Sequence, residues 1–321
     1  MNTFNVASMF AGIGGICLGF KQAGFKIVWA NEKDKAACNT YRYNNKNVLF
    51  NEGDIRNVSP SDIPNMDVLI AGFPCQSFSI AGNLKGFADP RGNLFFEIAR
   101  IIDIKRPKVI FLENVNNLVE HDNGRTFLVI YNSLVQFGYA VRYRIMDANE
   151  FGNLPQPRSR IFIVAFLDYE VCDMFQFPEP IDLTIGINNI IKRNEKKHEI
   201  YYLNNESWII KKFSKQINDR CYIYRIGNDG GLVRVRNHFC PTLTAQMGTR
   251  PDKVPFICDD FGIRKLTLRE CLDFQGFPQE FKFPKSITIN DAYKQIGNSV
   301  CVPVVRRIAE RLKFYLSSDI K

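Results

Sequence analysis

No two cysteines in the chain have Cys-x-x-Cys spacing; the nine stand singly at 17, 38, 75, 172, 221, 240, 258, 271 and 301. The only histidines, His121, His198 and His238, are equally scattered. These absences argue against a structural zinc site and against a disulfide framework, and no metal is expected. Most of the cysteines read as small core residues kept reduced, which leaves one or two for chemistry. No apolar run is long enough to cross a bilayer; the one from Val68 to Phe73 reads as a buried strand. Met1 to Asn5 has neither the basic flank nor the apolar stretch of a secretory signal, so a cytoplasmic protein with no membrane partner is expected. A dinucleotide fingerprint is missing as well. Gly-x-Gly-x-x-Gly counted from Gly12 needs glycine at 17, where Cys17 stands. With no fitting catalytic histidine either, a nicotinamide oxidoreductase is excluded. Internal repeats and low-complexity tracts are lacking too.

What is present is enough apolar material, 45% of 321 residues, for one large domain or two modest ones. The first half alternates apolar strands with helical stretches, the pattern of an α/β fold with a doubly wound, mostly parallel sheet. Strands are predicted over 5–10, 26–30, 67–72, 108–112, 139–146 and 161–166, with helices over 14–23, 35–43, 94–104 and 125–137. A polar, glycine-bearing loop over 74–92 separates two of them. From about Val171 to Cys258 the alternation fades, and this stretch is the candidate second domain. A helical pattern resumes over 264–274, and a last helix is predicted over 302–315. The net charge is +9, and between Lys192 and Lys253 thirteen basic residues face six acidic ones. Such a concentration is either a solvated surface or a polyanion contact.

The chemistry-bearing residues fall at the ends of the predicted strands. Phe10, Ala11, Gly12, Gly14 and Gly15 open the first helix, where glycine lets the backbone pass close to a ligand. Glu32 follows the second strand and could accept both hydroxyls of a ribose; Asp54, before Ile55, could accept from an adenine amino group. Each acid alone reads equally well as a surface charge or helix cap. Together, and without diphosphate-binding glycines, they favour an adenosine lacking phosphates. Cys75 follows a rigid proline, Pro74, at a strand end and opens the polar loop, a place where a thiolate can be used. Glu113, with Asn114 beside it, ends the neighbouring strand and would share its crevice. A carboxyl in a pocket of low dielectric can donate a proton near neutrality. Arg158 and Arg160, at alternate positions, are expected to point the same way and to bind phosphate and a base oxygen. Cytosine explains the combination. Its carbon 5 takes a methyl group only after a thiolate adds to carbon 6, which an acid at N3 makes feasible. The base must also leave the duplex.

Taken in order, these segments resemble the DNA cytosine-5 methyltransferases of bacterial restriction-modification systems, over nearly the whole chain. Phe10 to Gly15 is similar to the cofactor loop and Gly72 to Ser79 to the nucleophile motif. Arg91 to Phe95 is similar to the segment after the catalytic loop. Glu113-Asn114-Val115 and Gln156-x-Arg158-x-Arg160 are similar to the two base-handling motifs. Arg264 to Cys271, Gln275 to Pro278 and Lys294 to Val300 complete the series. The resemblance implies a class I S-adenosylmethionine-dependent methyltransferase fold with a smaller, irregular target-recognition domain. It implies S-adenosylmethionine as methyl donor, S-adenosylhomocysteine as product and double-stranded DNA as substrate. Phe10 would stack on the adenine, Glu32 bind the ribose and Asp54 the amino group, with Pro74, Leu94, Asn298 and Val300 lining the same pocket. Cys75 would attack carbon 6, Glu113 engage N3, Asn114 support the loop, Arg160 reach the base oxygen and Arg158 lie beside the cytosine. Gln76, Ser77 and Ser79 would contact DNA. Ser8 and Lys33 depart from the family pattern, where an aspartate and, in some members, an aromatic residue stand.

A catalytic domain over 1–185 and 291–321, a recognition domain over 186–260 and a connecting segment over 261–290 follow from the resemblance. The basic surplus falls in the recognition domain, where Arg225, Arg234, Arg236 and Thr242 are the candidates for DNA contact. The protein is expected to act as a monomer, and a restriction endonuclease acting on the same site is a further partner the resemblance allows. Two rivals stand behind this reading. A transfer-RNA cytosine methyltransferase would carry Cys-Phe-Thr after Glu-Asn-Val, where this chain continues Asn116-Asn117-Leu118-Val119. A catalytically silent DNA-binding relative would not need Cys75, Glu113 and Arg160 intact.

Overall fold

The alternating pattern takes shape in a computed structural model that describes residues 3–73, 94–235 and 239–317. Among them a seven-stranded sheet runs in the order β3-β2-β1-β4-β5-β7-β6. Its strands are β1 (Asn5–Met9), β2 (Lys26–Glu32), β3 (Leu49–Glu52), β4 (Val68–Gly72), β5 (Val109–Val115), β6 (Ala140–Asp147) and β7 (Ser159–Phe166). The first five pair in parallel and β7 runs antiparallel to β5. This is the doubly wound, mostly parallel sheet expected of the sequence. Val68 to Ala71 and Val109 to Leu112 are all buried, as strands covered on both faces must be. Four helices of this part are α1 (Gly15–Gln22), α2 (Lys35–Asn44), α3 (Leu94–Lys105) and α4 (Arg125–Gln136). From α3 and α4, Phe95, Ile98, Ile101, Ile102, Ile130 and Leu134 join Leu69, Ile110 and Leu112 in one core. The order reverses between β1 and β4, so the crevice for a ligand lies at their carboxyl ends.

By internal contacts the chain forms two compact units. One holds 1–146, 159–179 and 304–321; the other holds 147–158 and 180–303. The second unit thus contains, besides the 186–260 expected of a recognition domain, the segments 147–158, 180–185 and 261–303. It is not irregular throughout. A four-stranded antiparallel sheet, order β11-β10-β8-β9, is built from β8 (Tyr224–Ile226), β9 (Leu232–Arg234), β10 (Phe256–Asp259) and β11 (Gly262–Lys265). The helix predicted over 264–274 is therefore corrected. Arg264 pairs with Ile257 in the sheet, and the helix starts only at Leu268, where Thr267 and Glu270 form a capping box. Arg264 is fully buried. Its guanidinium donates to Asp259 at 2.7 Å and to both oxygens of Glu270 at 2.8 Å.

A second feature of this unit is close backbone packing. Gly248, in the turn Gln246–Thr249, has no room for a side chain, because one would enter the carbonyl of Asn290. Gly297 lies in the helix Ile289–Asn298, and a side chain there would enter the peptide between Thr244 and Ala245. Two main-chain segments therefore touch where glycine alone permits it.

Candidate active site

The turn from β1 into α1 alternates in hand: Phe10 (φ 54°), Gly12 (φ 54°) and Gly14 (φ 90°) are left-handed. Phe10 leaves the extended conformation, which ends β1 at Met9, one residue earlier than predicted. Gly14 is held against α2, since a side chain on it would stand 3.1 Å from the Tyr41 ring; one on Gly12 would meet nothing within 4 Å. The loop is fastened to the end of β2. The Ala11 amide donates to the Asn31 carbonyl and the Gly12 amide to the Glu32 carboxylate, both at 2.9 Å. The other Glu32 oxygen accepts from the amides of Lys33 and Asp34 at 2.8 and 2.9 Å.

A small pocket in the first unit is lined by Phe10, Asn31, Lys33, Gly53, Asp54, Ile55 and Leu94. The structure thus brings Phe10, Asp54, Ile55 and Leu94 together, with Asn31, Lys33 and Gly53 beside them. Glu32 is not among the lining residues, and backbone amides are bonded to both its oxygens. Asp54 caps the turn Ile55–Asn57 and binds Arg56, whose Nε donates to it at 2.9 Å. The bond from Arg56 holds the Asp54 carboxyl down at about 2, from an ordinary 3.8. Its folded value is depressed, so the pairing stabilises the protein above the ordinary value and the contribution is lost as pH falls through about 2. Both side chains are partly exposed, which keeps that contribution small. A carboxyl-carbon NMR titration should give Asp54 a midpoint near about 2; a midpoint at 3.8 would show that Arg56 does not hold it in solution. Asn298 and Val300, expected in the same pocket, belong to the second unit, where Asn298 ends a helix and Val300 is buried.

At the ends of β4 and β5, Gly72 lies opposite Glu113 in the ladder. A side chain on Gly72 would come within 3.3 Å of the Glu113 carboxylate, so glycine leaves that group its space. Glu113 is 9% exposed and pairs with the Nε of Arg160 at 3.1 Å, reached from the adjoining β7. Asn114 is buried; its Nδ2 donates to the Phe73 carbonyl at 2.9 Å and its Oδ1 accepts from the Val115 amide. It thereby ties Phe73, the residue just after β4 on the way to Cys75, to the strand that carries Glu113. Pro74, Cys75, Gln76, Ser77 and Ser79, and Arg236 farther on, lie outside the described residues. Burial pushes up the thiols of Cys17, Cys38, Cys172, Cys240, Cys258 and Cys271.

Arg158 requires a correction. It was expected to point with Arg160 toward phosphate or base. Instead it is 3% exposed, and its guanidinium donates to the carbonyls of Leu243 (2.6 Å), Gly297 (3.1 Å) and Ser299. Beside it the fully buried Gln156 donates to the Phe274 carbonyl and accepts from the Leu243 amide. The pair is a brace within the second unit. Thr242 spends its hydroxyl on the Pro157 carbonyl. Arg225 is exposed and pairs with Val233, whereas Arg234 lies opposite Tyr224 and over the Tyr222 ring at 4.8 Å. Cross-strand partners share a face and neighbours along a strand alternate, so Arg225 and Arg234 occupy opposite faces of the hairpin.

The profile of C-5 cytosine-specific DNA methylases matches residues 4–314. Type II methyltransferase M.Bsp6I of Bacillus sp. (strain RFL6) is 49% identical over 96% of this chain and 98% of its own length. Type II methyltransferase M.NlaX of Neisseria lactamica is 40% identical over 98% of each. Among solved structures, the Dnmt2 methyltransferase of S. pombe superposes with a TM-score of 0.75 at 21% identity, over 98% of this chain and all of that one. That last likeness is one of fold.

Proposed function

The chain belongs to the C-5 cytosine-specific DNA methylase family and is a DNA cytosine-5-methyltransferase; on that premise we propose how its residues perform the reaction. The substrate is one cytosine within a specific double-stranded DNA sequence, swung out of the helix so that both faces of its ring are reachable. Cys75 adds as thiolate to carbon 6. Glu113 holds N3, and Arg160, paired with Glu113, reaches the base oxygen. The addition makes carbon 5 nucleophilic enough to take the methyl group. Loss of the carbon 5 proton then expels the thiolate and restores the ring. S-adenosylmethionine supplies the electrophilic methyl when bound.

The residues present fit that donor. Phe10, Ile55 and Leu94 offer apolar surface around the pocket, and Asp54 offers an ionised acceptor. Gly12 and Gly53 leave open space where side chains would stand. Ala11, Gly14 and Gly15 shape the loop above it. In this reading Glu32 acts first on the loop, and a ribose hydroxyl would share an oxygen already bonded to an amide. The basic surplus between Lys192 and Lys253 supports a phosphate-contacting surface on the second unit. A restriction endonuclease acting on the same sequence is the partner proposed for it.

The observation that carries the proposal is the largely sheltered Glu113–Arg160 pair, with Glu113 set opposite Gly72 at the end of the strand that leads to Cys75. Bisulfite sequencing of DNA from cells expressing the protein tests it. Cytosines protected at one recurring sequence are expected; complete conversion of every cytosine would refute it.

A further inference from the structure

The geometry points to Asn31 as a positioning residue for the methyl-donor pocket, holding two of its loops at one distance from each other. This rests on the reading of that pocket given above. Asn31 ends the buried part of β2 and is 1% exposed. Burying an amide costs free energy unless its hydrogens are used, and here they are used across the strand gap. Nδ2 donates to the Gly53 carbonyl at 2.9 Å, to Asn51 Oδ1 at 2.8 Å and to the Asn51 carbonyl at 3.2 Å. Its own carbonyl accepts from Ala11 at 2.9 Å. One residue therefore grips the loop after β1 through its main chain and the loop after β3 through its side chain.

Glu32 repeats the arrangement with the roles reversed. Its carboxylate takes the Gly12 amide and its carbonyl takes the Gly53 amide, each at 2.9 Å. Main-chain bonds survive any substitution that folds, so the side-chain grip on Gly53 is the part a mutation can release. Gly53 has a φ of 153° and no side chain to anchor it, so its printed holds are the main-chain bond to Glu32 and the amide of Asn31. Loosening it moves Asp54, the next residue and the pocket's acidic acceptor, without touching Glu113, Asn114 or Arg160.

The effect should therefore fall on donor affinity and leave the chemistry alone. S-adenosylhomocysteine binding by calorimetry, methyl-transfer kinetics and DNA binding are measured on the wild type and on Asn31→Ala. We expect affinity for S-adenosylhomocysteine and KM for S-adenosylmethionine to worsen about ten-fold, as loss of a buried bonded amide allows. At saturating donor, kcat should stay within about three-fold and DNA affinity should be unchanged. Asn31→Ser, which keeps one donor in a smaller side chain, should recover part of the loss. It also carries the test if the alanine variant does not fold. Wild-type protein that binds no S-adenosylhomocysteine would refute the pocket assignment itself. Wild-type binding with equal affinity in a folded Asn31 variant would overturn the role of Asn31 alone, as would a lower melting temperature with unchanged affinity.

Discussion

Replacing Cys75 with serine is expected to lower methyl transfer by about 10³-fold or more, equivalent to about 4 kcal/mol of transition-state stabilisation, with DNA affinity retained. A thiol is a few per cent ionised near neutrality and its thiolate is strongly nucleophilic, whereas a serine hydroxyl is essentially never ionised there. Addition to carbon 6 is the step that makes carbon 5 reactive, so losing it removes the whole sequence of events. Oligonucleotides with 5-fluorocytosine at the target position give a second readout. Fluorine replaces the proton that must leave carbon 5, so the enzyme–DNA bond persists as a slowly migrating band. Wild-type protein should form it and Cys75→Ser should not. The other thiols are poor rivals: most are buried and pushed up by that burial, and Cys221 is the exposed control. Cys221→Ser should trap DNA as the wild type does. Full activity in Cys75→Ser would end the mechanism.

Arg158→Leu should act on stability. The guanidinium is held by carbonyls from three places in the second unit, at Leu243, Gly297 and Ser299. Leucine leaves those buried oxygens without donors, and each such group costs about 1–3 kcal/mol. A loss of about 3 kcal/mol or more is expected, which is a large share of what holds a domain together. Denaturant unfolding should show a lower midpoint with the same slope. A phosphate contact would behave differently, leaving the midpoint unchanged while flattening the salt dependence of DNA binding. That second pattern would restore Arg158 to the DNA surface.

What could be read in advance followed from physical signal strength. Continuous apolar runs such as Val68 to Ala71 and Val109 to Leu112 located the central strands. Because ligands sit at the carboxyl ends of such strands, the runs also singled out Phe10 and Glu113 as candidates, whereas β3, before Asp54, has no apolar run to mark it. The second sheet escaped because β8 and β9 have three residues each, too few for an alternation to register. Arg264 was read as helical since a buried cation gives no periodic signal; only its partners Asp259 and Glu270, distant in role though near in sequence, explain its burial. Arg158 was misjudged for a related reason. The rule of alternate side chains applies within a strand, and β7 begins one residue later, at Ser159. Glu32 looked like a free acceptor because the demand of nearby amides is invisible in a one-dimensional string. Asn31 carried no signal beyond its place before that acid.

The contacts at Gly248 and Gly297 set limits on rebuilding this enzyme. Residues 244–249 and the helix Ile289–Asn298 meet main chain to main chain, so neither can be replaced by a donor sequence that lacks the matching glycine. An exchange of either segment with a relative therefore has to keep glycine at 248 and at 297. The two segments have to be exchanged together or matched glycine for backbone.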